Sequence, residues 1–299
     1  MPAIGFLSAR TAASVDSLLP AFREGLRETG YVENRNVAIQ YRWAEGRFED
    51  LDGLAADLVA LKVNVLVATG GNASAIAARK ATGDIPIVFA AGGDPLKLGL
   101  VSSLSRPTGN VTGVSQLTEA LEGKRLELLS VLLPAVRTYD VLMNRKNPTS
   151  ETSLREISAA ARVLKRSVNF SSAGTADEVD AVFAELARRG SKALLVTTDP
   201  FLDNRRAQVI ALAARHSIPV MYGWREHALA GGLISYGTAA IDSYRQVGRY
   251  VGRILGGAKI SELPVVSADP RMVINRKTAA SLGLSVPRDL LLRADEVID

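Results

Sequence analysis

The stretch that decides the fold is residues 192–237, KALLVTTDPFLDNRRAQVIALAARHSIPVMYGWREHALAGGLISYG. Its opening apolar run at 193–197 has the length of one buried strand, and Asp199-Pro200 interrupts that run. The pattern then predicts an amphipathic helix over residues 204–216 and short strands over 220–222 and 231–237. Units of this kind build a parallel sheet, and ligands of such sheets bind beyond the carboxyl ends of the strands. Asp199 and the loop at 222–226 are therefore predicted to form one half of a ligand cleft.

Strand and helix patterns alternate in the same way along the rest of the chain. Five strands are predicted at 4–8, 37–43, 63–69, 85–91 and 110–115, and a second series starts with strands at 138–143 and 168–171. The tail adds a strand at 272–275, a helix at 277–282 and a closing segment without an assigned element. Thin connections separate the two series, as expected for a hinge. We predict an α/β fold of two doubly wound parallel-sheet lobes joined by a three-segment hinge: residues 1–114 and 238–264 in the N-terminal lobe, 115–237 and 265–299 in the C-terminal lobe.

Composition narrows the function classes. The chain has 299 residues, 47% of them hydrophobic, and a net charge of +5. Because its basic residues are interspersed with acidic ones on predicted helices, no nucleic-acid partner is expected. The absence of cysteine excludes disulfides and thiolate catalysis, and two histidines, His216 and His227, are too few for a histidine metal centre. We expect no metal and no cofactor.

The first predicted strand begins at residue 4, which leaves no room for a signal peptide before it. No apolar run approaches the ~20 residues of a membrane span. We therefore expect a cytoplasmic protein or a mature form whose export signal has been removed.

The strongest local signal in the first lobe is Gly70-Gly71-Asn72, between a predicted strand and a predicted helix. Glycines there let backbone N–H groups approach a ligand, and the helix N-terminus favours an anion such as a carboxylate. A tight turn with Asn72 as the helix N-cap explains the same residues. Both interpretations remain open.

Two Asp-Pro pairs follow apolar strands, at Asp94 and Asp199. An Asp N-cap with Pro as the first helical residue explains either pair, and we favour that explanation for Asp94. For Asp199 we favour a ligand role, because Glu226 follows the next strand and could face the same space. A carboxylate in that place is suited to an ammonium group.

Other polar and aromatic side chains fall near predicted strand ends. Asn144 and Asn147 are uncharged donors and acceptors suited to a polar ligand. A core or surface role is the default for any aromatic residue, but several in one region favour ligand stacking. These aromatic residues are Tyr222, Trp224 and Tyr236. Ser8 and Ser115 could contribute hydroxyl groups to the ligand site. No catalytic motif is visible, so we do not expect an enzyme.

Segments across nearly the whole chain resemble a known family. They are IGFLS, LRETGYVENRNVAIQYRWAEGR, DPLKLGLVSSLSRPTGNVTGVS, AGGLISYG with YVGRILGGAK, and RMVINRKTAASLGLSVP with LLRADEVID. Their order and spacing resemble the substrate-binding proteins of ABC importers, in the group that includes tryptophan- and tyrosine-binding members. The resemblance implies a type I periplasmic-binding-protein fold that closes two lobes over a ligand, export to the periplasm, and delivery of the ligand to the ABC permease membrane subunits by a monomer.

The resemblance also implies where a small polar organic ligand binds, such as an aromatic amino acid or a related aromatic acid. By position, the ligand residues are Ser8, Thr69, Gly71, Asn72, Asp94, Asn144, Asp199, Tyr222 and Tyr236. Asp199 would bind the ammonium group, and the backbone at Gly71 the carboxylate. Arg145 and Lys146 depart from the usual smaller polar pair, so an acid without an amine stays open.

Two alternatives remain from the residues alone. One is the effector-sensing lobe pair of a cytoplasmic regulator, although no helix-turn-helix precedes residue 4. The other is an α/β enzyme acting on a small metabolite, such as a sugar or a nucleotide.

Overall fold

Strands and helices alternate along the computed structural model, which describes residues 1–299. The strands are β1 (Ala3–Ser8), β2 (Ala38–Trp43), β3 (Val65–Thr69), β4 (Ile87–Ala91), β5 (Val111–Ser115), β6 (Thr138–Met143), β7 (Ser167–Ser172), β8 (Leu194–Val196), β9 (Val220–Tyr222), β10 (Ile234–Thr238), β11 (Val266–Ser267), β12 (Pro270–Asn275) and β13 (Glu296–Ile298). The helices are α1 (Leu19–Arg27), α2 (Leu51–Ala60), α3 (Asn72–Ala81), α4 (Glu122–Leu132), α5 (Ser150–Val163), α6 (Ala176–Arg188), α7 (Pro200–Asn204), α8 (Arg206–Arg215), α9 (Arg225–Leu229), α10 (Ala240–Leu255), α11 (Arg276–Ser281) and α12 (Arg288–Arg293). The predicted α/β class is confirmed.

The chain forms two compact units, each from two segments. The N-terminal unit contains Met1–Leu117 and Ala240–Ala268, and the C-terminal unit contains Thr118–Ala239 and Asp269–Asp299. The chain therefore passes between the units three times, after Leu117, Ala239 and Ala268.

The third crossing lies later than the lobe boundary drawn from the sequence at residue 264. Val266 and Ser267 form β11, which pairs with Val114 and Ser115 of β5. These ladder contacts place β11 in the N-terminal unit and not in the C-terminal lobe predicted for its residues. A two-residue strand has no alternation of its own that could have revealed this pairing.

The N-terminal sheet has six strands in the order β11-β5-β4-β3-β1-β2, and all neighbouring pairs are parallel. The carboxyl ends of its strands consequently lie along one edge. Ser8 at the end of β1 is opposite Thr69 at the end of β3. Ala91 at the end of β4 is opposite Ser115 at the end of β5. Polar residues predicted from separate parts of the sequence are thus brought to the same edge of this sheet.

Helix α10 comes from the second segment of the N-terminal unit and packs closely on α1. A Cβ atom on Gly25 would lie 2.0 Å from the carbonyl oxygen of Arg245, and one on Gly248 would lie 2.1 Å from that of Phe22. Glu28, the C-cap of α1, forms ion pairs with Arg245 and Arg249 of α10 at the margin of this contact. The two helices can approach this closely only because glycine, which has no Cβ atom, is present at both points of contact.

The C-terminal sheet has seven strands in the order β13-β12-β10-β9-β8-β6-β7. It is parallel except that β12 runs antiparallel to β10. Apolar side chains pack on both faces, one face containing Met221 and Ile274 and the other containing Val220 and Phe183. A sheet covered on both faces explains why its inner strands show continuous apolar runs instead of alternation.

Two details of the C-terminal unit differ from the prediction. The helix expected over residues 204–216 is α8 (Arg206–Arg215), and a short helix that was not predicted, α7, precedes it at Pro200–Asn204. The closing segment, to which no element was assigned, contains α12 and the edge strand β13. The longest helix of the chain, α10, has 16 residues, and none of the helices combines the length and hydropathy of a membrane span.

Candidate ligand-binding residues

Asp199 lies beyond the carboxyl end of β8, where it is 2% exposed. Its Oδ1 atom accepts a 2.9 Å hydrogen bond from the N–H of Leu202 and so caps α7. Its Oδ2 atom accepts one of 2.9 Å from Nδ2 of Asn147, and Nδ2 of Asn144 donates to both oxygens at 3.3 and 3.4 Å. Every partner is an N–H donor, which suits an ionised carboxylate. The cap that the sequence offered as an alternative is therefore present, together with two amides from the end of a different strand.

No protein cation compensates the charge of Asp199. Burial raises the pKa of its carboxyl, and the hydrogen bonds from Leu202, Asn147 and Asn144 act in the opposite direction. A buried carboxylate without a counter-ion is costly, and a cation from outside the protein would relieve that cost. The carboxylate is therefore suited to a ligand ammonium group.

The loop after β6 fixes the orientation of both amides. Oδ1 of Asn144 accepts from the N–H of Lys146 at 3.0 Å, and Oδ1 of Asn147 accepts from the N–H and Oγ1 of Thr149 at 3.0 and 2.9 Å. Each amide oxygen is thus engaged by its own loop, which leaves the NH₂ groups directed at the Asp199 carboxylate. Arg145 and Lys146 have exposed side chains.

Tyr222 was predicted as an aromatic wall of the ligand site, and the structure places its ring in the core. It is 1% exposed, packs in the apolar cluster that contains Phe201 and Leu202, and stacks on His227 with ring centroids 4.7 Å apart. Burial also raises the pKa of its phenol. These contacts favour the core role that is the default for a single aromatic residue.

Neither Glu226 nor Tyr236 forms a hydrogen bond or an ion pair with Asp199. Glu226 is in the first turn of α9 and is partly exposed. The ring of Tyr236 packs against the other face of the C-terminal sheet, in the cluster with Met221 and Ile274. Their part in ligand binding stays a prediction.

The turn after β3 presents an uncapped helix end. Gly71 is the N-cap of α3, with φ 118° and ψ 175°, and no side chain caps the helix. Gly70 has φ +79°, and a Cβ atom on it would lie 2.6 Å from Oγ of Ser8. Only glycine is compatible with that φ and that spacing. The first amides of α3 are therefore free of a side-chain cap, as an anion site requires.

Asn72 is the first residue of α3 and not its N-cap, which corrects the alternative drawn from the sequence. Its Oδ1 atom accepts a 2.8 Å hydrogen bond from the N–H of Gly93, so it joins the loops that follow β3 and β4. Asp94 caps the next turn through a 3.0 Å bond from the N–H of Leu96 to its Oδ1. No helix directly follows Asp94, so the helix N-cap favoured from the sequence is wrong, although the contact is local.

Three buried hydroxyls lie close together in the chain topology, two at the carboxyl ends of β1 and β3 and one in the first turn of α3. Ser8 is fully buried, and its Oγ accepts a 3.2 Å bond from the N–H of Arg10. Thr69 and Ser74 are also fully buried, and neither hydroxyl has a hydrogen-bond partner in the protein. Sequence reasoning missed Ser74, which lies inside an alanine-rich helix start with no distinguishing pattern.

A second group missed from the sequence lies in the C-terminal unit. Glu122 and Arg125 of α4 form an ion pair of 3.0 Å with both side chains fully buried. Charged residues three apart on a helix normally indicate a solvent-exposed pair, so no sequence signal sets this one apart.

The sequence of this chain also matches known proteins. A family model described as ABC transporter substrate binding protein matches residues 10–298. The chain belongs to this family. The resemblance stated from the sequence is thereby confirmed, and the two mostly parallel sheets are those of the type I periplasmic-binding-protein fold.

Particular relatives of this substrate-binding protein are known. A tyrosine-binding protein of Clostridioides difficile (strain R20291) is 28% identical over 291 residues, which is 95% of this chain and 82% of the relative. A conserved domain protein from Vibrio cholerae superimposes with a TM-score of 0.88 at 26% identity, over 99% of each chain. An ABC domain from Streptococcus pneumoniae, solved in complex with L-Trp, gives a TM-score of 0.87 at 27% identity, also over 99% of each chain.

Proposed function

We propose that this protein is the extracytoplasmic receptor of an ABC importer and binds an amino acid, in particular an aromatic one, without transforming it. The observation that carries the proposal is the buried Asp199 carboxylate, which accepts only N–H donors and has no protein cation beside it. A ligand ammonium group would complete this arrangement with a charge-assisted hydrogen bond.

The ligand carboxylate is assigned to the N-terminal unit. The uncapped start of α3 at Gly71 offers backbone N–H groups, and the Thr69 and Ser74 hydroxyls add buried donors without partners. Both features favour a negative group at this helix end. Delivery of the bound ligand to the permease would follow in the periplasm.

The aromatic preference is supported by the relatives. One of them is named a tyrosine-binding protein, and another was solved with L-Trp. Both share more than a quarter of their residues with this chain over nearly its whole length, so their ligands are the first to test here.

Two experiments test the proposal. Mass spectrometry of small molecules released on denaturation would identify a co-purified ligand. Calorimetry would then compare L-tryptophan and L-tyrosine with tryptamine, which lacks the carboxylate, and indole-3-propionate, which lacks the amine. We expect indole-3-propionate to bind about a hundredfold more weakly than L-tryptophan, because it leaves Asp199 without a cation. Equal affinity for these two, or no binding of any amino acid, would contradict the proposal.

A further inference from the structure

The buried ion pair between Glu122 and Arg125 is not explained by stability alone. Both side chains are fully buried, and the Arg125 Nη1 to Glu122 Oε1 distance is 3.0 Å. A buried ion pair is often no more stabilising than apolar residues of similar volume, because both charges must be desolvated. Moreover, Nη2 of Arg125 and Oε2 of Glu122 have no hydrogen-bond partner in the protein. If the pair only filled space, leucine and methionine would do so without the free-energy cost of desolvating two charges.

The hydrogen bonds of the pair reach three separate parts of the C-terminal unit. Oε1 of Glu122 accepts from the N–H and Oγ1 of Thr198, at 3.1 and 3.2 Å, and Thr198 directly precedes Asp199. Nη1 of Arg125 donates to the carbonyl of Thr118 at 3.0 Å, and its Nε donates to the carbonyl of Tyr236 at 2.7 Å.

Two of these contacts lie where the chain passes between the units. Thr118 is the first residue of the C-terminal unit after the first crossing. Tyr236 is on β10, the strand that leads into the second crossing after Ala239. The ion pair therefore joins the loop that bears Asp199 to the chain at two of the three crossings.

The groups around this ion pair are closely packed. A Cβ atom on Gly223 would lie 2.1 Å from Cγ2 of Thr198 and 3.3 Å from Cζ of Arg125. One on Gly237 would lie 1.9 Å from the carbonyl oxygen of Gly223 and 3.4 Å from Nη2 of Arg125. Since close-packed groups cannot move independently, a shift of Thr198 is passed on to the chain at both crossings.

We infer that Arg125 and Glu122 are positioning residues that couple ligand binding at Asp199 to movement of the chain at the first and second crossings. The inference rests on the proposed function, because it assumes a ligand at Asp199. The pair acts through its hydrogen bonds with Thr198, Thr118 and Tyr236.

The test uses the full chain and two readouts. Calorimetry gives the dissociation constant for L-tryptophan. A distance between two spin labels reports on the ligand-induced movement, with labels attached at Ala56→Cys on α2 and Ala184→Cys on α6. Both alanines are exposed, and the chain has no cysteine of its own. The variants are Arg125→Lys, Glu122→Gln and their combination, and thermal unfolding measures their stability.

Each single variant is expected to bind L-tryptophan about tenfold more weakly, and the double variant is expected to lose about tenfold and not a hundredfold, because the residues act as one unit. At saturating ligand, a smaller fraction of each variant should reach the ligand-bound distance. Glu122→Gln retains an oxygen that can accept from Thr198 and carries the test if Arg125→Lys does not fold. The control is Arg189→Lys, which alters a 3.0 Å ion pair with Asp140 in the same unit and should change neither readout.

The outcomes separate the two proposals. Wild-type protein that binds no amino acid would overturn the proposed function and this inference with it. Wild-type protein that binds L-tryptophan with no change in label distance would overturn the inference alone. So would variants that lose thermal stability while the affinity and the distance change of the wild type are retained, since that is the result of a purely structural role.

Discussion

Nδ2 of Asn147 donates a 2.9 Å hydrogen bond to Oδ2 of Asp199, and the amide cannot turn over without losing the two bonds that Thr149 donates to its oxygen. Asn147 therefore presents a donor to Asp199 in any state of the loop that keeps these bonds. If the carboxyl were protonated, its O–H would face other donors and would have no acceptor among them. These donors favour the ionised carboxylate and so oppose the rise in its pKa that burial causes.

Replacing the carboxylate by an amide tests its charge with little change of shape. Asp199→Asn is expected to weaken L-tryptophan binding about a hundredfold, because a buried ammonium–carboxylate contact is lost. Calorimetry measures this loss. Asp180→Asn, an exposed residue of the same unit that accepts a hydrogen bond from Gln208, serves as the matched control and should retain wild-type affinity. Wild-type affinity in Asp199→Asn would remove Asp199 from the site.

Affinity should depend on pH through the raised pKa of Asp199. The ligand ammonium binds the ionised carboxylate, so affinity is expected to fall as pH decreases through that pKa, which lies above the ordinary carboxyl value of about 4. Calorimetry of wild type and Asp199→Asn over this range measures the effect. The residual affinity of Asp199→Asn should lack this titration, and an identical pH profile in both proteins would contradict the assignment.

The same group has the opposite effect on the stability of the ligand-free protein. Because the folded-state pKa of Asp199 is raised, the folded protein binds more protons than the unfolded chain between the ordinary and the raised pKa. The contribution of Asp199 to the free energy of unfolding should therefore decrease as pH rises through this window. Urea unfolding of wild type and Asp199→Asn without ligand, compared at both ends of the window, isolates that contribution.

The hydroxyl of Thr69 offers a test of the carboxylate end of the ligand. It is fully buried without a partner, so Thr69→Val should leave the ligand-free protein as stable or more stable. L-tryptophan is expected to bind about tenfold more weakly, because one hydrogen bond to its charged carboxylate is lost. Tryptamine has no carboxylate and should bind both proteins equally. A loss of the same size for tryptamine would show that Thr69 acts on the fold and not on that group.

Two helical glycines of the N-terminal unit should respond to alanine in opposite ways. Gly25→Ala would place a methyl group 2.0 Å from the carbonyl oxygen of Arg245 and should lower the free energy of unfolding by about 1–3 kcal/mol. Gly53 of α2 has open space around it, so Gly53→Ala should raise that free energy by about 0.5–1 kcal/mol through helix propensity. Urea unfolding compares the two variants. Equal effects would contradict the close contact of α1 with α10.

Sequence patterns predicted the longer strands well because each is an apolar run bounded by polar residues. The strand predicted at 4–8 is β1 (Ala3–Ser8), and that predicted at 138–143 is β6 (Thr138–Met143). The edge strands β11 and β13 were missed, because neither is an apolar run of strand length and each forms only through pairing with one neighbour.

The candidate site was predictable where it depends on topology and not where it depends on the direction of side chains. Parallel strands bring their carboxyl ends together, which is why Asn144 and Asp199 could be placed at one edge and are in contact. Tyr222 lies on a strand that is buried on both faces, so its position in the sequence does not indicate which apolar cluster its ring joins. The partners of Glu122 and Arg125 come from distant segments and become visible only in the folded chain.

The contact of α1 with α10 has a consequence for synthesis. The ribosome completes α1 long before it reaches Ala240–Leu255, and the whole first segment of the C-terminal unit is translated in between. At ~5–20 residues per second this interval is on the order of ten seconds. During that time Phe22 and Leu26, both buried in the finished protein, lack the helix that covers them. The nascent N-terminal part therefore carries an apolar surface that attracts chaperones, and its folding is completed only after translation of the middle of the chain.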